Sequence, residues 1–473
     1  MPNMTRRRFL GLTSAAAVST VLAGASGVTL YALARTLSGG DGQPKPAVLS
    51  PTASVPATGT PFRPSSAVAF TVQAGHGWTG TNNAAGDLNF RGDYHQGDQS
   101  IKVVTGGGGE KSPAYVTSPR VDPVDLRSTM MRVWLKVDPA TVENLNLVRF
   151  YVGGGATPFS FFANGLIVNP GVDGNTAVVQ PGEWIGLTIS PASLTDRTQK
   201  VDWSSIQDFR LRVEDKGVKG QGAAVYLGGI ELIDNDPGYP HGVVTITFDD
   251  GYASAFTQGK PPMDRYGFPG TVYVIHDVID YNPYLSLAQL GTLHDRGWDL
   301  APHADKVVNH NHGFDTLDPA VAAADLRDEI AWLESLGYGR SRHWAYPKGL
   351  FDAHLINLAK PLVSASRTAH FRTVETLPVA DPYRLRCIQP KTVTPNTQPA
   401  TLEWYADQVY DYGGWLIVMF HNLVAAPTLP TEFSIAEFNT FVDYLSTKGI
   451  PVKTMSSVLG AEPHSMLNTT RRR

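Results

Sequence analysis

The strongest constraint on the fold is a run of β-branched and apolar residues, Val243–Phe248, that ends directly in Asp249-Asp250-Gly251. Such an uninterrupted apolar run is typical of a strand buried on both faces of a parallel sheet. In α/β proteins, active sites lie at the carboxyl ends of these strands. Two adjacent carboxylates repel each other unless a cation or a shared proton separates their roles. The pair therefore favours a metal site with a spare base, and a capped Asp-Gly turn is the alternative.

The chain from residue 236 to residue 462 supports this interpretation, because apolar strands there alternate with amphipathic helices. Such alternation predicts a parallel barrel or a doubly wound sheet. The clearest helix is 318–337, with Asp315 or Asp318 as its cap. The predicted strands are 243–248, 271–275, 298–302, 343–346, 363–367 and 415–420.

Residues 67–235 have a different pattern, in which short runs of alternating polarity are separated by Gly, Asp, Asn and Pro. In one such run Phe209, Leu211 and Val213 point one way and the intervening arginines the other. Many short strands with turn signals predict an all-β sandwich of jelly-roll type. This segment also loosely resembles non-catalytic carbohydrate-binding modules.

The N-terminal residues 1–35 combine Arg6-Arg7-Arg8 with an Ala-rich apolar stretch that contains no acidic residue. This segment resembles a twin-arginine export signal, which predicts a secreted, cell-surface or periplasmic protein. The stretch is also long enough to span a bilayer, so an uncleaved membrane anchor is the alternative. Residues 36–66, rich in Pro, Thr, Ser and Ala, predict a flexible linker, and residues 463–473 form a basic tail.

Composition narrows the chemistry of the 473-residue chain. The net charge of -4 gives no electrostatic reason to expect nucleic acid as a partner. A single cysteine, Cys387, excludes an intramolecular disulfide and a cysteine metal cluster. Any metal must therefore be held by His, Asp or Glu. We interpret Cys387 as a packing residue, and we expect a monomer whose only membrane contact would be an uncleaved N-terminal segment.

Two histidines follow predicted strands of the C-terminal half. His303 comes after the strand 298–302, and His421 comes after the strand 415–420. Residues at the carboxyl ends of strands in one parallel sheet meet at one edge. We therefore expect His303, His421, Asp249 and Asp250 to converge on a functional site.

These residues resemble the motifs of a known family, the polysaccharide deacetylases of carbohydrate esterase family 4. The resemblance covers about residues 240–460 and implies a distorted (β/α) barrel that removes acetyl groups from N-acetylated polysaccharides with a divalent metal, zinc being the first choice. The motifs follow in the family's order: Thr247-Phe248-Asp249-Asp250-Gly251, Phe268–Val274, Gly297–His303, Trp344–Gly349 and Ile417–His421.

The resemblance also implies roles for single residues. Asp249 resembles the catalytic base, Asp250 a metal ligand and His303 a second metal ligand. His421 resembles the catalytic acid. A backbone N–H near Tyr346 would then stabilise the oxyanion.

The same resemblance implies side chains that line the substrate site. Tyr346 and Pro347 belong to the family's third motif and are implied to contact substrate. Trp415, at the start of the last strand, could line the acetyl pocket or belong to the core.

The chain departs from the family at two positions. The family's second metal histidine stands four residues after the first, where this chain has Val307. His310 and His312 are the candidates to complete the site, with His310 slightly favoured, and Asp305 could be a ligand or could contact one.

The second departure concerns the arginine that orients the base in other members, which is replaced by Ala345. Arg367, at the end of a predicted strand, is the candidate replacement, and Arg342 is its rival. An arginine beside Asp249 would favour the ionised carboxylate.

The sequence thus predicts an exported, metal-dependent deacetylase whose partner is a polysaccharide. Two alternatives stay open. One is a surface carbohydrate-binding protein with a degenerate catalytic domain, and the other is a barrel glycoside hydrolase that uses Asp249 or Asp250 with another carboxylate.

Overall fold

The computed structural model describes residues 70–82, 86–168, 181–196, 199–234, 239, 241–339, 341–369, 373–390 and 401–460. The predicted export segment, linker and basic tail therefore lie outside the described residues. Within the described ranges, no helix combines the length and the apolar character needed to cross a bilayer.

The first half of the described chain is all-β and forms two antiparallel sheets of six strands each. The strands are β1 (Phe70–Thr71), β2 (Thr79–Thr81), β3 (Asp87–Phe90), β4 (Ser100–Val104), β5 (Ala114–Thr117), β6 (Thr129–Val137), β7 (Leu145–Gly154), β8 (Phe161–Val168), β9 (Ile185–Ile189), β10 (Thr195–Asp196), β11 (Asp208–Asp215) and β12 (Ala224–Asp234). One sheet has the order β3-β4-β12-β6-β9, with β1 paired to β12. The other has the order β10-β8-β7-β11-β5-β2.

Alternating polarity explains how these strands pack. In β11, Phe209, Leu211 and Val213 are fully buried, whereas Arg210 and Arg212 are only partly buried. Successive side chains of a strand point to opposite faces, so the apolar set faces inward. The inward-facing side chains of both sheets form one shared hydrophobic core.

The second half alternates strands and helices. Its strands are β13 (Val243–Phe248), β14 (Thr271–Ile275), β15 (Asp299–Ala304), β16 (His343–Ala345), β17 (Ala365–Arg367), β18 (Trp415–Phe420), β19 (Asn422–Val424) and β20 (Glu432–Ser434). Its helices are α1 (Lys260–Asp264), α2 (Leu287–Asp295), α3 (Val307–His312), α4 (Pro319–Ser335), α5 (Ala353–Ala359), α6 (Leu402–Tyr412), α7 (Ile435–Lys448) and α8 (Met455–Leu459).

Four of these strands form a parallel sheet in the order β15-β14-β13-β18. Every residue of β13 and β18 is buried, as expected for strands covered on both faces. Their register places Phe248 opposite Phe420, and the Asp249 N–H donates to the Phe420 carbonyl at 2.8 Å. His421, the residue after β18, therefore lies at the same sheet edge as the Asp249-Asp250 pair.

A second parallel pair, β16 and β17, continues this arrangement. Isolated bridges connect Arg367 to Leu385 and Ile388 to Val418, so the segment 385–388 runs between β17 and β18. No backbone ladder joins β15 to β16 in the ranges that the structure describes. The order is thus β16-β17, then the segment 385–388, then β18-β13-β14-β15, and it follows the parallel β/α architecture that the sequence predicts, with an open seam between β15 and β16.

Strand and helix positions agree closely with the sequence pattern. The strands 243–248, 271–275 and 415–420 lie where they are predicted. The predicted long helix corresponds to α4, and Asp318 caps it by accepting a hydrogen bond from the Ala320 N–H at 2.8 Å. By contrast, β15 extends two residues beyond the predicted strand and includes His303.

The two halves touch through a buried polar contact. Arg386 pairs with Glu375 at 2.5 Å and donates to the Thr188 carbonyl of β9 at 2.8 Å. The Arg386 and Glu375 side chains are only 7% and 3% exposed, so the contact is shielded from water. An edge-on contact between Trp203 and Tyr412 adds an aromatic pair with ring centroids 5.6 Å apart.

Candidate active site

The turn after β13 sends its two carboxylates to different partners. Asp250 adopts φ = 66° and Gly251 φ = 70°, so two successive residues are in the left-handed region. Such a backbone is uncommon for a residue other than glycine, and where it occurs it is often found at functional sites. The turn separates Asp249, which is 3% exposed, from Asp250, which faces a histidine pair.

Asp250, His303 and His310 form the Asp-His cluster. The Asp250 Oδ1 lies 3.4 Å from His303 Nε2 and 3.3 Å from His310 Nε2. The two Nε2 atoms lie 3.2 Å apart. Tetrahedral ligands at typical zinc distances are about 3.3 Å from one another, so these three atoms fit around one metal ion.

Backbone contacts fix the His303 imidazole. Its Nδ1 lies 2.8 Å from the Ala345 carbonyl, which can only accept a hydrogen bond. The proton therefore belongs on Nδ1, and the Nε2 lone pair is directed into the cluster. His303 also occupies a register shift, because Val274 pairs with Pro302 and Ile275 with Ala304. Such a bulge reorients a side chain relative to a regular strand.

His310 completes the cluster from α3, seven positions after His303. His312, at the end of the same helix, is exposed. Its ring nitrogens lie outside the close group of ligand atoms that Asp250, His303 and His310 form. Asp305 also lies outside the cluster, since its carboxylate pairs with His276 at 2.5 Å and with Lys306 at 2.8 Å. Of the four candidate metal ligands, the structure thus brings Asp250, His303 and His310 together and leaves His312 apart.

The electrostatics of the cluster suit a cation. Burial alone would raise the pKa of Asp250, but hydrogen bonding and charge from His303, His310 and His421 outweigh it and hold the pKa well below the ordinary value. For His310, burial lowers the pKa, and the Asp250 carboxylate raises it above the ordinary value on balance. A carboxylate that stays ionised beside two imidazoles is an oxygen-nitrogen donor set of the kind that zinc binds.

Asp249 is held by a buried arginine. The Arg367 Nη2 lies 2.5 Å from the Asp249 Oδ2, and both side chains are nearly inaccessible. Burial lowers the pKa of Arg367, but the charge of Asp249 together with the contributions of Cys387 and Tyr273 outweighs burial, and the net shift is upward. The rival Arg342 instead forms an exposed ion pair with Glu334, away from this site.

The other oxygen of Asp249 has no hydrogen-bond partner in the described part of the protein. Asp249 Oδ1 is buried and makes no protein hydrogen bond, while Oδ2 is occupied by Arg367. His421, which follows β18 at the same sheet edge, is partly exposed. The site therefore has an acceptor oxygen on the buried side and an imidazole on the open side.

All three residues that were predicted to contact substrate are buried. Tyr346 is 1% exposed, its hydroxyl donates to the Tyr383 carbonyl at 3.0 Å and its N–H to the Arg367 carbonyl at 3.1 Å. That N–H is therefore already occupied and is a poor oxyanion donor. Pro347 is buried. Trp415 is fully buried at the opposite end of β18, where its Nε1 donates to Thr245 at 2.9 Å.

Two tyrosines near Asp250 were missed by the sequence reasoning. Tyr252 and Tyr284 stack with ring centroids 5.1 Å apart and an interplanar angle of 23°. Burial, followed by the charge of Asp250, raises the pKa of both hydroxyls, which places the pair beside the cluster. Tyr252 directly follows the Asp-Asp-Gly motif and could have been suspected, whereas nothing in the local sequence marks Tyr284.

The part of the chain that contains most of this site is similar to a known protein family. Residues 237–363 match the family model described as polysaccharide deacetylase. The match includes Asp249, Asp250, His303 and His310, and it ends before Arg367. A curated relative, the putative polysaccharide deacetylase YxkH of Bacillus subtilis (strain 168), is 23% identical over 117 residues. That alignment covers 25% of this chain and 40% of the relative, so the chain matches less than half of that protein's length.

The solved structures are less similar to this chain in sequence than the curated relative is. A family 4 acetyl xylan esterase from Clostridium thermocellum is 16% identical, with a TM-score of 0.32, and the match covers 46% of this chain and 90% of that one. The peptidoglycan deacetylase PdaC from Bacillus subtilis is also 16% identical, with a TM-score of 0.32, and the match covers 48% and 93%. Functional assignment therefore depends on the family match and on the geometry of the site.

Proposed function

We propose that the chain is an exported, divalent-metal-dependent hydrolase that removes N-acetyl groups from a polysaccharide, in line with the match of residues 237–363 to the polysaccharide deacetylase family model. The observation that carries the proposal is the Asp-His cluster beside the Asp249–Arg367 pair. One carboxylate is directed to a cation site and its neighbour is held as a base. This division of roles is what hydrolysis by an activated water requires.

Asp250, His303 and His310 would hold the metal, and zinc suits their donor set. When bound, the ion would supply Lewis-acid polarisation of the acetyl carbonyl and would lower the pKa of a bound water. His303 contributes a fixed Nε2 lone pair because Ala345 holds its Nδ1 proton. Asp250 contributes an oxygen that stays ionised.

Asp249 and His421 would move the protons. Asp249 Oδ1 lacks a protein partner and can accept a proton from the attacking water. Arg367 holds the other oxygen, which fixes the direction of the carboxylate. His421 lies at the same edge and can protonate the departing amine as a general acid. The stacked Tyr252–Tyr284 pair supplies an aromatic surface next to the reacting groups.

The proposed substrate is an N-acetylated glycan, with cleavage of a carbon-nitrogen bond. Peptidoglycan, chitin-like oligomers and exopolysaccharide are the N-acetylated candidates, and acetylated xylan is the O-acetylated one. An assay on a panel of these polymers identifies the substrate.

We further propose export by the twin-arginine route, supported by the Arg-rich N-terminal motif. We also propose a jelly-roll topology for the sandwich, because several pairs of successive strands cross from one sheet to the other. The pairs β4 and β5, β6 and β7, β8 and β9, and β11 and β12 each have one member in either sheet. A carbohydrate-binding role for this module would bring the catalytic domain to its polymer.

The site geometry disfavours glycoside hydrolysis. That reaction uses two carboxyl groups facing one glycosidic bond, one as an acid and one as a base or nucleophile. Here Asp249 is paired with Arg367, and Asp250 faces two imidazoles. A degenerate, non-catalytic domain is disfavoured as well, since three ligand atoms and a base are present together.

An acetate-release assay on the glycan panel tests the proposal, with Asp249→Asn as the diagnostic variant. We expect acetate from at least one N-acetylated glycan and no new reducing ends. Wild-type acetate release that Asp249→Asn retains in full would refute the proposed mechanism, and reducing ends without acetate would support the glycoside hydrolase.

A further inference from the structure

Helix α3, which carries His310, begins without a cap of its own. The residue before it is Lys306, whose side chain makes no capping hydrogen bond. The helix has only six residues, and so short a helix is not stable by itself in water. The first N–H groups of a helix also need acceptors from outside it. The place of His310 therefore depends on groups that other elements supply to the start of α3.

Asp325 of α4 holds the two residues before α3 and the side chain of the third residue of the helix. Its Oδ1 accepts a hydrogen bond from the Asp305 N–H at 2.6 Å. Its Oδ2 accepts from the Lys306 N–H at 3.2 Å and from the Asn309 side-chain amide at 2.6 Å. Asp325 is only 4% exposed, so these three contacts are shielded from water. One carboxylate thus fixes both the approach to α3 and its first turn.

Asp277, in the loop after β14, holds the same segment from the other side. Its Oδ1 accepts from the N–H of Val307, the first residue of α3, at 2.8 Å. Its own N–H donates to the Asp305 carbonyl at 3.1 Å. Together with Asp325, it places α3 so that the His310 side chain, one turn along, reaches His303.

We propose that Asp325 is a positioning residue for the metal-binding histidine His310. It touches neither the cluster nor the substrate site and acts through the start of α3. The inference rests on the proposed metal-dependent function, and it explains how a histidine seven residues after His303 replaces the missing one at position 307. Asp325 thus positions His310 through the start of α3, whereas the Ala345 carbonyl positions His303 by direct contact with its ring.

Metal affinity of the full chain tests the inference directly. Zn²⁺ binding is measured by competition with a chromophoric chelator for wild type, Asp325→Asn and Asp328→Asn. The amide of Asp325→Asn presents donors where Lys306 and Asn309 need an acceptor, so we expect affinity to fall about 10- to 100-fold. Asp328→Asn, at an exposed residue of the same helix, makes the same charge change and should leave affinity unchanged.

Asp277→Ala is a milder change at a partly exposed loop and should weaken binding several-fold. It replaces Asp325→Asn as the test if that variant does not fold.

Combining Asp325→Asn with His310→Ala separates positioning from general damage. If Asp325 acts through His310, it adds no further loss of affinity in the His310→Ala background. An equal loss in both backgrounds would overturn the inference, as would wild-type affinity in Asp325→Asn or, where only it folds, in Asp277→Ala. Failure of wild type itself to bind Zn²⁺ would instead refute the proposed function.

Discussion

At the scale of single residues, the site depends on how two adjacent aspartates are kept distinct. The left-handed backbone at Asp250 directs its carboxylate to His303 and His310, while Asp249 turns to Arg367. The Asp250 carboxylate therefore faces two imidazoles, and the Asp249 carboxylate pairs with a guanidinium. The expected consequences differ for the two residues, which makes their roles separable by substitution.

Asp249→Asn should lower kcat without changing metal affinity. Loss of a general base typically costs about 10²- to 10⁴-fold in rate, and Asn retains the volume of Asp. Steady-state acetate release and a metal titration of the same preparation check this. A parallel loss of metal affinity would show that Asp249 also holds the ion.

Arg367→Met should destabilise the fold as well as the activity. Removing one member of a buried ion pair leaves the other charged group uncompensated, which typically costs about 3–5 kcal/mol. Chemical denaturation measures the change in the free energy of unfolding. Arg342→Met removes an arginine from an exposed pair and should cost less than about 1 kcal/mol. Equal effects of the two substitutions would contradict the placement of Arg367.

The Asp250–His310 pair predicts a pH dependence of stability in the metal-free protein. The lowered pKa of Asp250 adds stability above its unfolded-state value of about 4, and this is lost as the pH falls through the folded-state pKa. The raised pKa of His310 adds stability below about 6.5, and this is lost as the pH rises through the folded-state value. His310→Ala should therefore destabilise chelated protein more at pH 5 than at pH 8. Urea denaturation at the two pH values checks this, and a larger effect at pH 8 would contradict it.

Some residues of the site could be predicted from the sequence and others could not, for physical reasons. Asp249, Asp250 and His303 could be predicted to lie together because each stands at or near the carboxyl end of an apolar strand, and these ends share one sheet edge. The sequence could not separate His310 from His312, because the choice depends on where α3 begins. Asp325 was missed because it is a buried carboxylate on a helix that was recognised by its apolar side chains.

At the scale of elements, β13 connects the hydrophobic core to the site. Phe248 is fully buried and packs against Trp298, Phe420 and Phe438, with ring centroids 5.8–5.9 Å away. Asp249 follows it directly, so the packing of Phe248 fixes the start of the Asp249-Asp250-Gly251 turn. Elements of this kind were predictable, since long apolar runs give a strong signal. The bulge at His303 and the short helix α3 were not, because contacts from other elements determine them.

Phe248→Ala should cost about 3–5 kcal/mol in the free energy of unfolding, and Phe248→Leu should cost less. The alanine leaves a cavity among three aromatic rings, which cannot fully collapse. Denaturant titrations measure both changes. An effect of Phe248→Ala below 1 kcal/mol would mean that β13 is not the packed centre of the sheet.

At the scale of the whole molecule, Arg386 joins the sandwich to the α/β half of the chain. Its guanidinium pairs with Glu375 and also contacts the Thr188 carbonyl and hydroxyl of the sandwich. A fixed contact of this kind would hold the two domains in one orientation relative to a polymer. The sequence did not predict it, since the partners lie about 200 residues apart along the chain.

Arg386→Met should uncouple the domains. Because Glu375 would lose its buried partner and Thr188 its donor, we expect a separate, earlier unfolding transition for one domain in calorimetry. Arg342→Met again serves as the exposed control. A single transition at the wild-type temperature would show that Arg386 does not couple them.

The most direct test of the central claim is acetate release from an N-acetylated glycan by chelator-treated protein, before and after addition of one equivalent of Zn²⁺. A metal site at Asp250, His303 and His310 predicts no release before addition and recovery after it in wild type, without recovery in Asp250→Asn. Full activity after chelation, or equal recovery in Asp250→Asn, would contradict the assignment.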